Sequence, residues 1–373
     1  MVKWAKLPWD TLENWGFSLE AAKTAVAAGL SWALAAWIFG TARPYFAPLA
    51  AILCAQATIA ESVVRGVQRI LGVVGGIVLA ILFTHLVGLH AWSIGVLVFV
   101  AIAAASRLRL GSQGISQVAI SALMVMAIGA QVKGYAWYRA LDTALGAAVA
   151  ILVSALLWPP DFTPDAAEAL RILALALSQV MEGIQQDLDQ GLDPEEANRR
   201  LKEARAIESG LHRARRAIER AETSLRWNPW HRGERGKLAQ LRHALTVLDH
   251  TMIQVRGIAR TLFVTLDRDV SRPAAALPDA LAKRLGKVLA LMGEALKSYA
   301  LLIQEQAQDA ALRMERLLAA SARERQVLVR EAGALLEGDG ARFLDIAAVL
   351  VDLDKMSQDL EVSARLIIPI VRV

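Results

Sequence analysis

The chain has 373 residues, 55% of them apolar and 21% charged, with a net charge of +5 at neutral pH. The first 160 residues hold 10 Lys and Arg against 5 Asp and Glu, and the rest hold 31 of each, so the positive balance lies wholly in the more apolar part. That distribution argues against a nucleic-acid partner, and the single cysteine, Cys54, excludes both a disulfide framework and a cysteine-built zinc site.

Residues 1–20 read as an interfacial segment. The stretch from Val2 to Asn14 is amphipathic and carries Trp4 and Trp9, so it is expected to lie along the inner membrane surface. Six apolar stretches follow over 21–160, near Ala21–Gly40, Tyr45–Ser62, Ile70–Gly88, Ala91–Ser106, Ile115–Gln131 and Ala140–Trp158. A spanning helix needs roughly 20 apolar residues, because it rises about 1.5 Å per residue through about 30 Å of hydrocarbon. The breaks carry Gly40, Pro44, Gly88, Gly111, Gly114 and Gly134, and Pro159-Pro160 stops the last span. Lys3, Lys6, Lys23, Arg65, Arg69, Arg107 and Arg109 fall on one side with the Arg-rich C-terminal half, against Arg43, Lys133 and Arg139 on the other. The positive-inside rule then puts both termini in the cytoplasm. Arg65-x6-Gly72 and Arg139-x6-Gly146 resemble each other at an offset of 74 residues. A 3+3 inverted repeat would produce that pattern, and so would chance similarity between apolar helices.

From 161 to 373 the apolar spacing becomes heptad-like. Leu170, Leu173, Leu177, Val180 and Ile184 step by three and four, as do Leu241, Leu245, Leu248, Met252, Val255, Ala259 and Leu262. This is the seam of a helical bundle. Thr163-Pro164 marks a capped helix start, and further helices are expected near Glu195–Arg226, Leu277–Gln308, Ala310–Glu337 and Ala341–Leu366. Acids alternate with bases over Arg199–Arg226, so that stretch reads as a solvated, ion-paired face. The fold class is therefore an all-α membrane protein: six transmembrane helices followed by a cytoplasmic helical bundle.

No phosphate-binding glycine loop, nucleophile motif or metal-spaced histidine pair is present, so neither an enzyme nor a cofactor or metal site is expected. The chemistry-bearing residues are the polar groups within the spans, which are costly there. Gln56, Thr58, Gln117 and Ser121 either line a polar path between spans two and five or hold the helices together by hydrogen bonds. Glu61 with Arg65, and Asp142 with Arg139, either form helix-surface ion pairs or couple transport to protons. Arg43, Arg65, Arg69, Arg107, Arg109, Lys133 and Arg139 would draw anions to both mouths, helped by the positive ends of nearby helices.

The run Arg43-Pro-Tyr-Phe-Ala-Pro-Leu-Ala50, the segment Arg65-Gly-Val-Gln-Arg-Ile-Leu-Gly72 with Gly75-Gly76, and Leu225-Arg-Trp-Asn-Pro229 resemble the aromatic acid exporter or fusaric acid resistance-like family. Plant aluminium-activated malate transporters look like distant relatives. The resemblance implies a homodimeric protein of the bacterial inner membrane that exports organic anions, aromatic carboxylates above all. A membrane-anchored scaffold or sensor, whose bundle binds a cytoplasmic partner, is the alternative.

Overall fold

The computed structural model describes residues 19–40, 44–56, 58–88, 90–129, 132, 134–157, 161–227, 232–269, 278–305, 307–335 and 340–367. Arg43, Lys133, the interfacial segment and Pro159-Pro160 lie outside them. No strand occurs among the described residues, and the chain divides into two compact units, Met1–Pro160 with Arg226–Trp230, and Asp161–Leu225 with His231–Val373.

In the first unit the helices are α1 (Leu19–Phe39), α2 (Phe46–Cys54), α3 (Ile59–Leu86), α4 (Ala91–Arg107), α5 (Ser112–Ile128) and α6 (Tyr135–Leu156). By length and composition α1, α3 and α6 can each cross a membrane, whereas α4 and α5 are shorter apolar helices. Large apolar side chains point outward from them, among them Trp37, Val78, Phe99 and Leu152, and small ones fill the interior: Ala27, Ala51, Ala101, Ala122, Ala147 and Ala150. Such an inside-small, outside-large distribution suits a bilayer, where helix association depends on close packing and not on water exclusion.

Three boundaries differ from the sequence expectation. The stretch Tyr45–Ser62 is not one helix. The first part, α2, has nine residues, about 13 Å of helix. Ala55 and Thr58 are then extended, and α3 starts afresh with the Thr58 hydroxyl accepting from the Glu61 backbone N–H at 3.1 Å. The physical cause is local: Thr58-Ile-Ala-Glu61 has the spacing of an N-terminal cap. Secondly, α3 begins at Ile59, eleven residues before the expected Ile70, so Arg65 and Arg69 sit inside a helix. Thirdly, α6 begins at Tyr135 behind Gly134, whose φ of 79° suits a glycine, and Arg139 falls in its second turn.

The second unit consists of α7 (Thr163–Gln190), α8 (Pro194–Ala206), α9 (Glu208–Trp227), α10 (Arg235–Asp269), α11 (Asp279–Glu305), α12 (Gln308–Leu335) and α13 (Gly340–Ile367). The heptad positions of α7 and α10 supply its core: Leu170, Leu173, Leu177, Val180 and Ile184 are buried with Leu241, Leu248, Met252 and Val255. Thr163 does not act as the expected cap. Instead the Asp161 carboxylate accepts from the Thr163 backbone N–H at 2.8 Å, and Pro164 lies in the first turn. The expected helix over Glu195–Arg226 is interrupted at Ile207. Its charged residues do pair across helices, Arg200 with the buried Asp187 at 2.6 Å and Arg215 with Asp249 at 3.2 Å.

Between α11 and α13, Tyr299 is fully buried and its hydroxyl shares a 2.6 Å hydrogen bond with Ser363. Burial pushes the phenol pKa up, so the hydroxyl stays protonated. Replacing Tyr299 by Phe removes one net hydrogen bond and is expected to cost about 1 kcal/mol. Ser363→Ala should cost a similar amount, because each change strands the other residue's buried hydroxyl. Denaturant unfolding of the full chain, followed by far-UV circular dichroism, checks both.

Candidate functional site

The site is built where α3, α5 and α6 meet. Close approach is set by glycines. A Cβ on Gly76 would lie 2.5 Å from the Val118 carbonyl oxygen and 2.6 Å from Ser121 Cβ, so α3 and α5 touch backbone to backbone. Likewise a Cβ on Gly146 would overlap the Ala47 carbonyl oxygen, which brings α2 onto α6. Between α3 and α6 the Ser62 and Ser154 hydroxyls share a 3.0 Å hydrogen bond, and Gly66 faces Ala147 and Ile151. Residue numbers rise along one helix as they fall along the other, so α3 and α6 are antiparallel.

Within this frame the two arginines expected at opposite mouths turn inward. Arg69 is 6% exposed and Arg139 3%. The Arg69 Nη1 donates to the Gln117 amide oxygen at 2.9 Å, and the Gln117 amide nitrogen donates to the Ser121 hydroxyl at 3.1 Å. Arg139 Nη2 donates to the same hydroxyl at 3.1 Å. One continuous polar chain thus runs Arg69–Gln117–Ser121–Arg139. Both Nε–H groups are buried without a hydrogen-bond partner. Among the described residues no carboxylate lies in ion-pair contact with either guanidinium. Two positive charges therefore share a small volume with neutral acceptors only, and an anion is the complement they lack.

An aromatic corner adjoins Arg139. Its guanidinium carbon sits 4.5 Å from the centroid of the Phe46 ring, at cation–π distance. Phe46 in turn meets Tyr135 edge-on, at 5.8 Å and 80°. Tyr135 stands one helical turn before Arg139 and also lines a cavity of about 350 Å³, with Thr84, His85, Val125 and Met126. That volume is at the lower end of the usual range for small-molecule sites. The shortness of α2 is what leaves Phe46 here: Tyr45 packs on Trp32 at 6.0 Å, so α2 begins about two turns below the end of α1.

The other candidates fall elsewhere. Gln56 and Thr58 occupy the α2–α3 turn, where the Gln56 backbone N–H donates to Ser62 and the Thr58 hydroxyl caps α3. They do not join Gln117 and Ser121, and spans two and five do not face each other as expected: α2 packs on α6, and α5 on α3. Glu61 is exposed and makes no ion pair with Arg65. Asp142 is 5% exposed and makes none with Arg139, although it stands three positions further along the same helix. Arg107 and Arg109 are exposed at the α4–α5 turn, Arg109 with a positive φ of 52°. Phe46 and Tyr135 were missed by sequence reasoning. Tyr135 precedes Arg139 by four residues, the spacing at which helical side chains meet, and that was the available signal.

Residues 30–153 match the profile of the fusaric acid resistance protein-like family. That match covers about a third of the chain and falls within the first unit. The chain is also similar to a protein named "Putative arylamide transporter" in Mycobacterium bovis and Mycobacterium tuberculosis, 36% identical over 144 residues, which cover 37% of this chain and 40% of the relative. An uncharacterized protein of Corynebacterium glutamicum is 25% identical over 247 residues, or 66% of this chain and 63% of that protein. The chain thus spans about two fifths of the length of the mycobacterial relatives it matches. All the residues of the polar chain, together with Phe46 and Tyr135, lie inside the segment that matches the family profile.

Proposed function

We propose that this protein is a secondary transporter or channel for organic anions in the bacterial inner membrane, and that aromatic carboxylates are its substrates. The observation that carries this reading is the pair of buried arginines, each with a free Nε–H and neither with an acid. A charge in a bilayer interior costs several kcal/mol unless it finds a partner, so such residues mark ion pathways by default. A carboxylate between Arg69 and Arg139 would accept from the Nε–H of one or the other. The aromatic part of the substrate would then rest against Phe46 and Tyr135, beside the 350 Å³ cavity. Six membrane helices with both termini in the cytoplasm, a cytoplasmic bundle and a homodimer remain the arrangement this reading adopts. Gln56, Thr58, Arg65, Arg107 and Arg109 would guide anions toward the site, with Arg43 and Lys133 doing so from residues outside those described.

The test is anion flux into proteoliposomes under an imposed voltage, with benzoate, malate and chloride compared. Saturable, voltage-driven uptake that prefers benzoate is the expected result. Uptake no faster than in empty liposomes, from protein shown to be folded, would contradict it.

A further inference from the structure

The two arginines are related by more than proximity. Sliding α3 onto α6 by 70 residues pairs Arg69 with Arg139 and Gly76 with Gly146. It also pairs Leu71 with Leu141, Ala80 with Ala150, Ile81 with Ile151, Leu82 with Leu152 and Leu86 with Leu156. The same slide ends both helices together, at Leu86 and Leu156, and brings α1 onto α4 and α2 within α5. The offset of 74 suggested by Arg65-x6-Gly72 pairs the half-buried Arg65 with the buried Arg139, whereas the offset of 70 pairs two buried arginines, Arg69 and Arg139, and two buried glycines.

Packing follows the same relation. The Cβ of a residue at Gly76 would meet a carbonyl oxygen of α5, at Val118, and the Cβ three residues on, at Ser121. The Cβ of a residue at Gly146 would meet a carbonyl oxygen of α2, at Ala47, and the Cβ three residues on, at Ala50. Each half thus lends its middle helix to the last helix of the other half, and α3 and α6 cross antiparallel between them. Three helices per half with antiparallel last helices is an inverted repeat. The equivalence is broken in one respect. Arg69 is covered by the Gln117 amide from α5, whereas the place one residue from the Gln117 counterpart on α2 holds Phe46, whose ring lies under Arg139 without accepting a hydrogen bond.

Building on the anion site proposed above, we infer that Arg69 and Arg139 are two equivalent carboxylate positions, one serving each side of the membrane. The described arrangement is one of two that the halves exchange. In it the Gln117 amide oxygen takes the place of a carboxylate oxygen on Arg69, while Arg139, equally buried, donates to Ser121 and faces the Phe46 ring with no amide over it. In the exchanged arrangement Gln117 withdraws and Arg69 takes the carboxylate that Arg139 has given up. Ser121, which accepts from both Gln117 and Arg139, is the hinge point of the hand-over.

The experiment uses full-length protein in liposomes of one orientation, established by protease access to the second unit, with benzoate flux measured from each side in turn. Arg139→Gln should raise the half-saturating benzoate concentration about tenfold from one side and leave the other within about twofold, the effect of losing one charge-assisted hydrogen bond. Arg69→Gln should do the same from the opposite side. Arg139→Lys and Arg69→Lys keep the charge, so they should fold as wild type and show smaller shifts of the same sidedness. Equal shifts on both sides from either variant would overturn the two-position scheme while leaving a single anion site intact. Unchanged half-saturation on both sides would remove the arginines from the path altogether. Absence of flux in the unsubstituted protein is a separate result, which bears on the transport reading itself.

Discussion

Replacing Arg69 and Arg139 together by glutamine is expected to abolish carboxylate flux and, at the same time, to raise the melting temperature. The two outcomes come from one cause. Each guanidinium is more than nine-tenths buried and held by neutral oxygens alone, with Nε–H groups unpartnered. A charge at the centre of a membrane helix costs about 2.5–3.5 kcal/mol on insertion scales, and nothing in the described structure neutralises these two. Glutamine retains a donor for Gln117 and Ser121 without the charge, so the substituted protein should be the more stable one. The anion, however, loses a charge-assisted hydrogen bond of about 1.5–3 kcal/mol at each of its two positions, which corresponds to at least about tenfold in affinity at each. Benzoate uptake and thermal unfolding, measured on the same preparation, check the pair of results. Loss of flux with an unchanged or raised melting temperature is the expected combination. A fall in both would mean that the arginines hold the helices together.

The largest structural effect is expected at Gly146. Any side chain there would drive its Cβ into the Ala47 carbonyl oxygen, and the Ala50 Cβ would stand 2.8 Å away. Neither obstacle is the flexible end of a long side chain, so α2 and α6 must separate. Gly146→Val should therefore cost more than about 3 kcal/mol, in the range reserved for overpacking against backbone. It should also displace Phe46 from Arg139, because Phe46 opens the helix that would be pushed away. Gly95→Ala is the matched control. Nothing lies within 4 Å of a Cβ at Gly95, on α4, so helix propensity alone decides and a gain of up to about 1 kcal/mol is expected. Tryptophan fluorescence through a thermal ramp in detergent reports both. Similar melting temperatures for Gly146→Val and the unsubstituted protein would refute the packing described for α2 and α6.

Much of this fold was legible in the residues. The heptad positions from Leu170 to Ile184 and from Leu241 to Leu262 do form the core of the second unit, because a narrow apolar seam on an otherwise polar helix has only one face to bury. In the apolar unit that logic fails. A helix that is apolar all round does not announce which face packs, and its polar residues are read against loop positions that the true boundaries move. Arg69 was read as a mouth residue because a break was expected before Ile70. In the fold it stands in the third turn of a 28-residue helix. The break lay instead at Thr58-Ile-Ala-Glu61, whose cap spacing was visible but was overridden by the continuous apolar run around it. The repeat pattern is ambiguous in register from sequence, since Arg65-x6-Gly72 and Arg69-x6-Gly76 are both present and both glycines pack on α5; the burial of Arg69, against the half-buried Arg65, favours the second. Gln117 and Ser121 were singled out correctly as polar groups inside an apolar helix. Their joint partner, a second arginine from a distant helix, is a tertiary fact that no spacing encodes.

The central claim is that a carboxylate binds between the two arginines with its ring against Phe46. Crystals grown with 4-iodobenzoate and measured at a wavelength where iodine scatters anomalously test it most directly. The account predicts an iodine peak in the cavity beside Tyr135, with carboxylate density facing Arg139 or, with the Gln117 amide moved off it, Arg69. Iodine peaks confined to other surfaces, with the Arg69–Gln117–Ser121–Arg139 chain unaltered in the presence of saturating ligand, would contradict it.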